Sequence, residues 1–591
     1  MALLTHPPSH YLFFFMQLPV FQRISLELEV TMSMSIARIL LGRPLAEEEG
    51  GRRKLTSFEG LPAMGLDGLG SASYGPEAIL TVLLPLGAIG LVYLGPLMLA
   101  ILGLLGILYL SYRQIIRAYP SGGGAYTVAR ENLGTHASLL AATALMIDYV
   151  LNVAVGISAG VGALTSALPT LHPYTVPLCL MMLALITLIN LRGTLDAGRL
   201  FALPTYVFVG GLLAVIAIGV YRSVMTGEHP AAVVAPATLP EAAQTLSPLL
   251  LLQAFAAGCA AMTGVEAVSN GVTAFREPVV KRAHFTLAAI CGILGLLLAG
   301  IAYLARTYGV SAMDQTQPQY QSVISQLTAA IVGRGPLYYV VIASVLCVLC
   351  LSANTSFVGF PRLCREVAQD DFLPRPFAVL GRRLVFSVGI FYLTASAALL
   401  LVFFHGITDR LIPLFAVGAF LTFTLSQLSM VVHWRRALRD GSDHAPHASG
   451  ALFINLLGAT ATTTALCIML VAKFSAGAWL TVVIIPLIVI TLKATKKYYE
   501  HFNKQLQIDL AFELESAKPP VILVLIEGWN RLTKGALQFA LKLSSDVVAV
   551  HVEEESGSSE PSMVVDRRWS EQVVKPVTAA GMKPPELRRL Q

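Results

Sequence analysis

From residue 60 to residue 494 the chain is almost wholly apolar segments near 20 residues long, about the length an α-helix needs to cross hydrocarbon. The segments fall near 60–86, 89–111, 136–167, 176–191, 198–222, 246–275, 282–306, 335–366, 385–405, 410–434, 450–472 and 475–494. Lipid cannot hydrogen-bond an exposed backbone, so such a chain must satisfy its N–H and C=O groups internally, as helices. Composition agrees: 55% of residues are hydrophobic and 13% charged, against roughly 25% charged in a soluble domain. The expected fold is an all-α polytopic membrane protein of about twelve helices, with the lipid bilayer as its partner. Disorder, collagen and coiled coil are excluded by the apolar content and by the absence of their periods.

The net charge of +6 has a membrane explanation and implies no nucleic-acid partner. Arg52, Arg53, Lys54, Arg113, Arg117, Arg130, Arg276, Lys281, Arg282, Arg362, Arg365, Arg382, Arg383, Arg435, Arg436 and Arg439 fall on one side of the segments. The other side has few: Arg222, Arg306, Arg334, Arg410 and Lys473. The basic side faces the cytoplasm by the positive-inside rule, which puts both termini there. The seven cysteines sit mostly inside apolar runs, so no disulfide framework is expected. Cys347 and Cys350 spell CxxC within an apolar segment and without a second pair, which does not make a zinc or redox site.

The two ends differ from the middle. Residues 1–31 have an apolar patch without a basic start or a small-residue cleavage site, a poor signal peptide. Met32 and Met34 offer starts just before SIARILLGRPL, so residues 1–33 are expected to be a dispensable extension and 34–59 the cytoplasmic N-terminus of a membrane domain spanning 60–495. In the tail, 496–591, PPVILVLIEG and DVVAVHVEE read as strands around the amphipathic NRLTKGALQFALKLSS, a parallel βαβ unit. The Pro- and charge-rich remainder from Ser556 shows no second apolar helix, and one such unit cannot bury enough core to stand alone.

Segments 1 and 6 depart from the apolar norm. Gly65, Gly68, Gly70, Ser71, Ser73 and Gly75 crowd the first; Gly258, Thr263, Gly264, Ser269 and Gly271 crowd the sixth. Interruptions at matching places in two halves point to a transporter with inverted repeats, whose broken helices line a cavity at mid-membrane. The plainer reading is close helix contact through small residues. Three acids lie deep in apolar stretches: Asp67, Asp148 and Glu266. At roughly 2.5–3.5 kcal/mol each on insertion scales, with no Lys or Arg at comparable depth, they must be protonated, solvated or paired with a cation. Asp67 in a helix break would repel a substrate carboxylate, so it argues for a cation, inorganic or ammonium. Asp67, Tyr74, Asp148, Asn152, Thr263 and Glu266 offer the oxygens that hard cations take. Glu77, nearer the end of its segment, reads as structural or interfacial. PSGGGAYTVARENLG at 120–134 lacks the preceding strand and the GK[ST] of a P-loop, and reads as a tight loop between segments 2 and 3.

The run AYPSGGGAYTVARENLG, INLRG at 189–193 and the two broken segments resemble the amino acid–polyamine–organocation superfamily. Within it, LDGLGSASYGPEAILTVL, MIDYVLNVAVGISAG, MTGVEAVSN and RLIPLFAVGAFLTFTLSQ are most similar to the KimA-type bacterial potassium uptake permeases, grouped with the KUP transporters. The resemblance runs from about Ser35 through the tail. It implies a LeuT-like core of five plus five inverted-repeat helices with two more, a homodimer, and import of potassium in symport with protons. It matches the cation-site residues to Asp67, Tyr74, Asp148, Tyr149, Thr263 and Glu266, with potassium at Asp67, Asp148 and Thr263 and proton coupling at Glu266 and Asp148. Asn152 stands where the family has threonine, Gly156 where it has serine and Phe415 where it has tyrosine. Asn keeps an oxygen ligand; Gly and Phe do not. The tail resembles the first part of a universal-stress-type α/β domain.

The expectation is therefore a secondary active transporter in the cell membrane, with potassium ion and proton as its partners and no cofactor. The alternative is an amino acid or polyamine permease of the same superfamily; a sensor that keeps the fold without transporting is a third possibility. No nucleophile–base pair or metal-ligand cluster suggests an enzyme.

Overall fold

The computed structural model describes residues 54–122, 124–192, 201–227, 230–380, 386–440, 445–506, 520–526, 529–552 and 567–590. The extension at 1–33 and most of the segment 34–59 lie outside them. The chain divides into two compact units, one ending at Phe502 and one beginning at Asn503.

The first unit is a helical bundle. Its first crossing is built of three pieces, α1 (Ser57–Met64), α2 (Leu66–Ser71) and α3 (Gly75–Leu83). Then come α4 (Ala88–Ala118), a short α5 (Ala125–Leu133), α6 (Thr135–Ala167), α7 (Thr175–Leu191) and α8 (Ala202–Met225). The sixth crossing is again in pieces, α9 (Pro248–Gly258), a 3₁₀ turn at Cys259–Met262 and α10 (Ala267–Asn270). It is followed by α11 (Val279–Thr307), a short α12 (Val323–Val332), α13 (Pro336–Gln369), α14 (Ser387–Phe403) and α15 (Thr408–Arg439). Two more, α16 (Ala445–Lys473) and α17 (Trp479–Leu506), end the unit. Ten of these crossings are long and apolar enough to span a membrane. The three-piece first crossing and the 17-residue α14 bring the number to the twelve read from the sequence.

Burial sorts the helices. The apolar window of α6 is 83% buried and that of α15 is 89% buried, against 17% for α17. The first two therefore form the centre, packed on one another, with α13 along α6 and α16 along α15. α17 faces outward with the exposed apolar surface that lipid covers. PSGGGAYTVARENLG, expected to be a tight loop, does connect α4 and α6, but its residues Ala125–Leu133 form the helix α5. On α5, the Tyr126 hydroxyl donates to the Asp370 carboxylate at 2.5 Å and Arg130 pairs with the same group, tying this connector to the end of α13.

The start of the first crossing is pinned to the end of the sixth. Leu55 N–H donates to Ala274 O at 2.7 Å and Arg276 N–H donates to Leu55 O at 3.0 Å. Thr56 and Glu59 then cap α1 reciprocally, which satisfies orphan N–H groups of the first turn.

The second unit holds β1 (Ile522–Ile526), α18 (Arg531–Leu543), β2 (Val547–Val552), a helix over 567–579 and β3 (Glu586–Leu590). The strands form one parallel sheet in the order β1-β2-β3, with Ile522 beside Val547 and Val548 beside Glu586. The second helix and third strand correct the expectation of a lone βαβ unit. Trp569 and Val573, four residues apart, bury one face of that helix with Ile526, Leu537 and Val547. From the third strand Leu587 packs there; three of that strand's five residues are charged, which hid it from the apolar pattern.

Candidate functional site

The two broken crossings meet at their breaks. In the first, residues 72–74 form a turn between α2 and α3, with Ser73 N–H donating to Gly70 O at 2.9 Å in place of the α-helical bond. In the sixth, Thr263 is extended and Gly264 takes φ +84°, a conformation that favours glycine. Gly264 lies directly against α2, the middle piece of the first crossing: a Cβ there would stand 2.6 Å from Gly68 N and 2.7 Å from Asp67 Cβ. The Ser71 hydroxyl lies 2.6 Å from both Gly68 O and Ala261 O, bridging the two chains. Gly264→Ala is therefore expected to cost about 1–2 kcal/mol in backbone strain plus the steric overlap. The checks are a lowered unfolding temperature in detergent and loss of transport; an unchanged melting curve counts against the close approach.

All six predicted site residues gather around this crossing. Asp67 begins α2, Tyr74 precedes α3, Asp148 and Tyr149 lie mid-way along α6, and Thr263 and Glu266 flank Gly264. The acids are within range of one another's charge, as are Tyr74 and Tyr149. Asp67 is 5% exposed, Asp148 2%, Glu266 5% and Thr263 fully buried. Asp67 Oδ1, Asp148 Oδ1 and Glu266 Oε2 are buried without a hydrogen-bond partner. Among the described residues no Lys or Arg forms an ion pair with any of the three. Nor, among those residues, do three acids, histidines or cysteines converge closely enough to chelate one metal ion. Any ion held there takes hydroxyl and carbonyl oxygens as well: Thr263 donates to Ala260 O at 3.1 Å, and the Tyr149 hydroxyl accepts from Asn270 at 3.4 Å.

The three departures from the family pattern are also placed. Asn152 is turned to α13, donating to the Ser356 hydroxyl at 2.9 Å. A Cβ on Gly156 would stand 2.6 Å from Ser352 Oγ and 2.8 Å from Leu349 O. α13 thus packs against Gly156 with the Ser352 hydroxyl, which donates to Leu349 O at 2.7 Å, and leaves no room for a side chain there. Phe415 is fully buried and offers no ligand. One neighbour escaped the sequence reading: Tyr112, within charge range of Glu266 and Asp148, its hydroxyl buried beside Ser426. The second segment was ended at 111, whereas α4 continues to Ala118.

Helices broken at matching places in two halves, with acids and hydroxyls gathered where the breaks cross, define a broken-helix membrane permease of five plus five repeat helices and two more. Residues 69–492 match the model of the family described as "Amino acid permease", and the chain belongs to that family. It is 40% identical over 539 residues to the potassium transporter KimA of Bacillus subtilis, covering 91% of this chain and 86% of that one. It is 25% identical over 376 residues to the low-affinity putrescine importer PlaP of Escherichia coli, covering 60% of this chain and 79% of PlaP. A solved manganese transporter of Eremococcus coleocola aligns over 79% of this chain and 98% of its own at 13% identity, with a TM-score of 0.40, a likeness that adds nothing to the argument.

Proposed function

We propose that this chain imports potassium across the cell membrane together with protons. The observation that carries the reading is the set of three buried carboxyls, each with an unpartnered oxygen, around the crossed helix breaks. Buried carboxylates without a basic partner hold their charge only against a cation, and hard oxygen ligands suit an alkali ion. The extensive similarity to KimA favours potassium over the ammonium groups of a polyamine. In this reading Asp67, Tyr74 and Thr263 form one side of the ion site, with Asp148 and Tyr149 on the other. Glu266, beside the second break, exchanges a proton as the ion arrives or leaves, with Asp148 as its neighbour in the relay.

Rescue of growth at limiting potassium in a strain without its own uptake systems tests this, with rubidium as tracer. Uptake of radiolabelled putrescine or arginine without rubidium would move the reading to the polyamine and amino acid class. Proton symport sets the sign of the pH dependence: accumulation rises as outside pH falls and collapses when a protonophore dissipates the gradient. Accumulation indifferent to a protonophore would remove the coupling. The excess of Arg and Lys on one face of the bundle supports cytoplasmic termini, and the family resemblance supports a homodimer; cysteine labelling and cross-linking in membranes test the two.

A further inference from the structure

A second polar cavity adjoins the acid cluster on the face away from the basic loops. α11 starts beside Arg282 and crosses to Thr307, so the segment 308–322 lies on that far face. A small cavity of about 20 Å³ there has Tyr74 among its lining residues, with Ser73, Glu77, Gln315, Thr408 and Asp409 around it. Tyr74 is also a neighbour of Thr263 in the acid cluster. A larger cleft of about 280 Å³ adjoins the first, and the two share Gln315 and Tyr320.

Three features distinguish this cavity from a packing defect. Glu77 from α3 and Asp409 from α15 bring two carboxyls to one wall, within range of each other's charge. The other charged groups facing Asp409 are Lys473 of α16 and Asp314 of the far-face segment. The residues lining the cavity include these two carboxyls and no Lys or Arg, a lining of oxygen groups that suits a cation. Independently of the acids, Ser73 is 5% exposed, lines the cavity and keeps its Oγ buried without a hydrogen-bond partner. Glu77 is held in place, accepting from the Tyr320 hydroxyl at 2.7 Å and from Val323 N–H at 3.3 Å. Tyr320, lining both clefts, thus stands between them while bonded to the wall.

We propose that this cavity is a waiting site for a monovalent inorganic cation, held by Ser73, Glu77 and Asp409 one step outside the Asp67 cluster, with the Tyr320–Glu77 hydrogen bond closing it toward the larger cleft. The proposal rests on the cation-carrier reading. An ion entering from the far face sheds part of its hydration here, among carboxylates and hydroxyls, before it meets the drier acids at the crossing.

Equilibrium binding of radiolabelled rubidium to the purified full chain in lipid nanodiscs tests it. Wild type is expected to bind in two classes, and Asp67→Asn to lose one and keep the other. Asp67→Asn with Asp409→Asn is expected to lose both. Asp409→Asn alone is expected to raise the KM for rubidium uptake about tenfold, the effect of losing one charged ligand worth about 1.4 kcal/mol, while the maximal rate holds. Ser73→Ala, a milder change, is expected to raise KM severalfold and stands in should Asp409→Asn fail to accumulate. No rubidium bound by wild type overturns the cation reading itself. Equal binding by Asp67→Asn and the double variant, or unchanged KM in Ser73→Ala, overturns the waiting site and leaves the carrier reading intact.

Discussion

Asp67→Asn is expected to abolish rubidium uptake while the protein reaches the membrane at its normal level. The substitution keeps the volume and one oxygen of the side chain and removes its charge. Asp67 Oδ1 is buried without a hydrogen-bond partner, so the fold loses no bond there. The ion loses the charge that offsets its missing hydration. Removing one partner of a buried charge pair costs about 3–5 kcal/mol, or at least ~100-fold in affinity. Gly264 packs so closely here that an added Cβ would stand 2.7 Å from both Asp67 Cβ and Cγ, and Asn, of the same shape as Asp, fits the same place, so the loss reports charge and not displacement. Uptake above half of wild type with normal membrane levels would remove Asp67 from the ion site.

The architecture was legible because lipid imposes a length on every crossing, and the two glycine-rich segments broke that rule at matching places. Asp67, Asp148 and Glu266 were legible for the same reason: an acid in an apolar run is an exception that only function explains. What escaped the sequence depends on where helices end and on what packs across them. Tyr112 lay one residue past the assumed end of its segment, yet α4 runs on to Ala118 and carries it beside the cluster. Gly156 read as a lost ligand, whereas Ser352, on a helix almost 200 residues away, packs so close that no side chain fits there. Glu77 read as structural, and its bonds to Tyr320 and Val323 agree; the cavity beside it arises from a loop and from α15, which no local pattern announces. The third strand of the tail, ELRRL, carries three charged residues in five, too weak an apolar signal to separate from coil.

Glu266→Gln is expected to separate ion movement from its driving force. Glu266 follows Gly264 at the second break, is 5% exposed and keeps Oε2 buried without a partner. Asp67 and Asp148 stand within range of its charge. Three like charges in a dry space cannot all persist without compensation, so each arriving cation permits a carboxylate and each departing cation requires a proton. Such an exchange is a minimal coupling device, and Glu266 is placed for it because it touches both the break and the acid pair. Glutamine copies the protonated carboxyl in shape and polarity and cannot cycle. Concentrative, pH-dependent accumulation should therefore fall to the level of passive equilibration, while exchange of rubidium tracer across the membrane survives. The alternative is a carboxyl that stays protonated and holds the two pieces of the broken helix together. Glutamine would serve that role equally well, leaving accumulation and its pH profile as in wild type. That outcome would make Glu266 structural and pass the proton to Asp148, whose Oδ1 is likewise unpartnered.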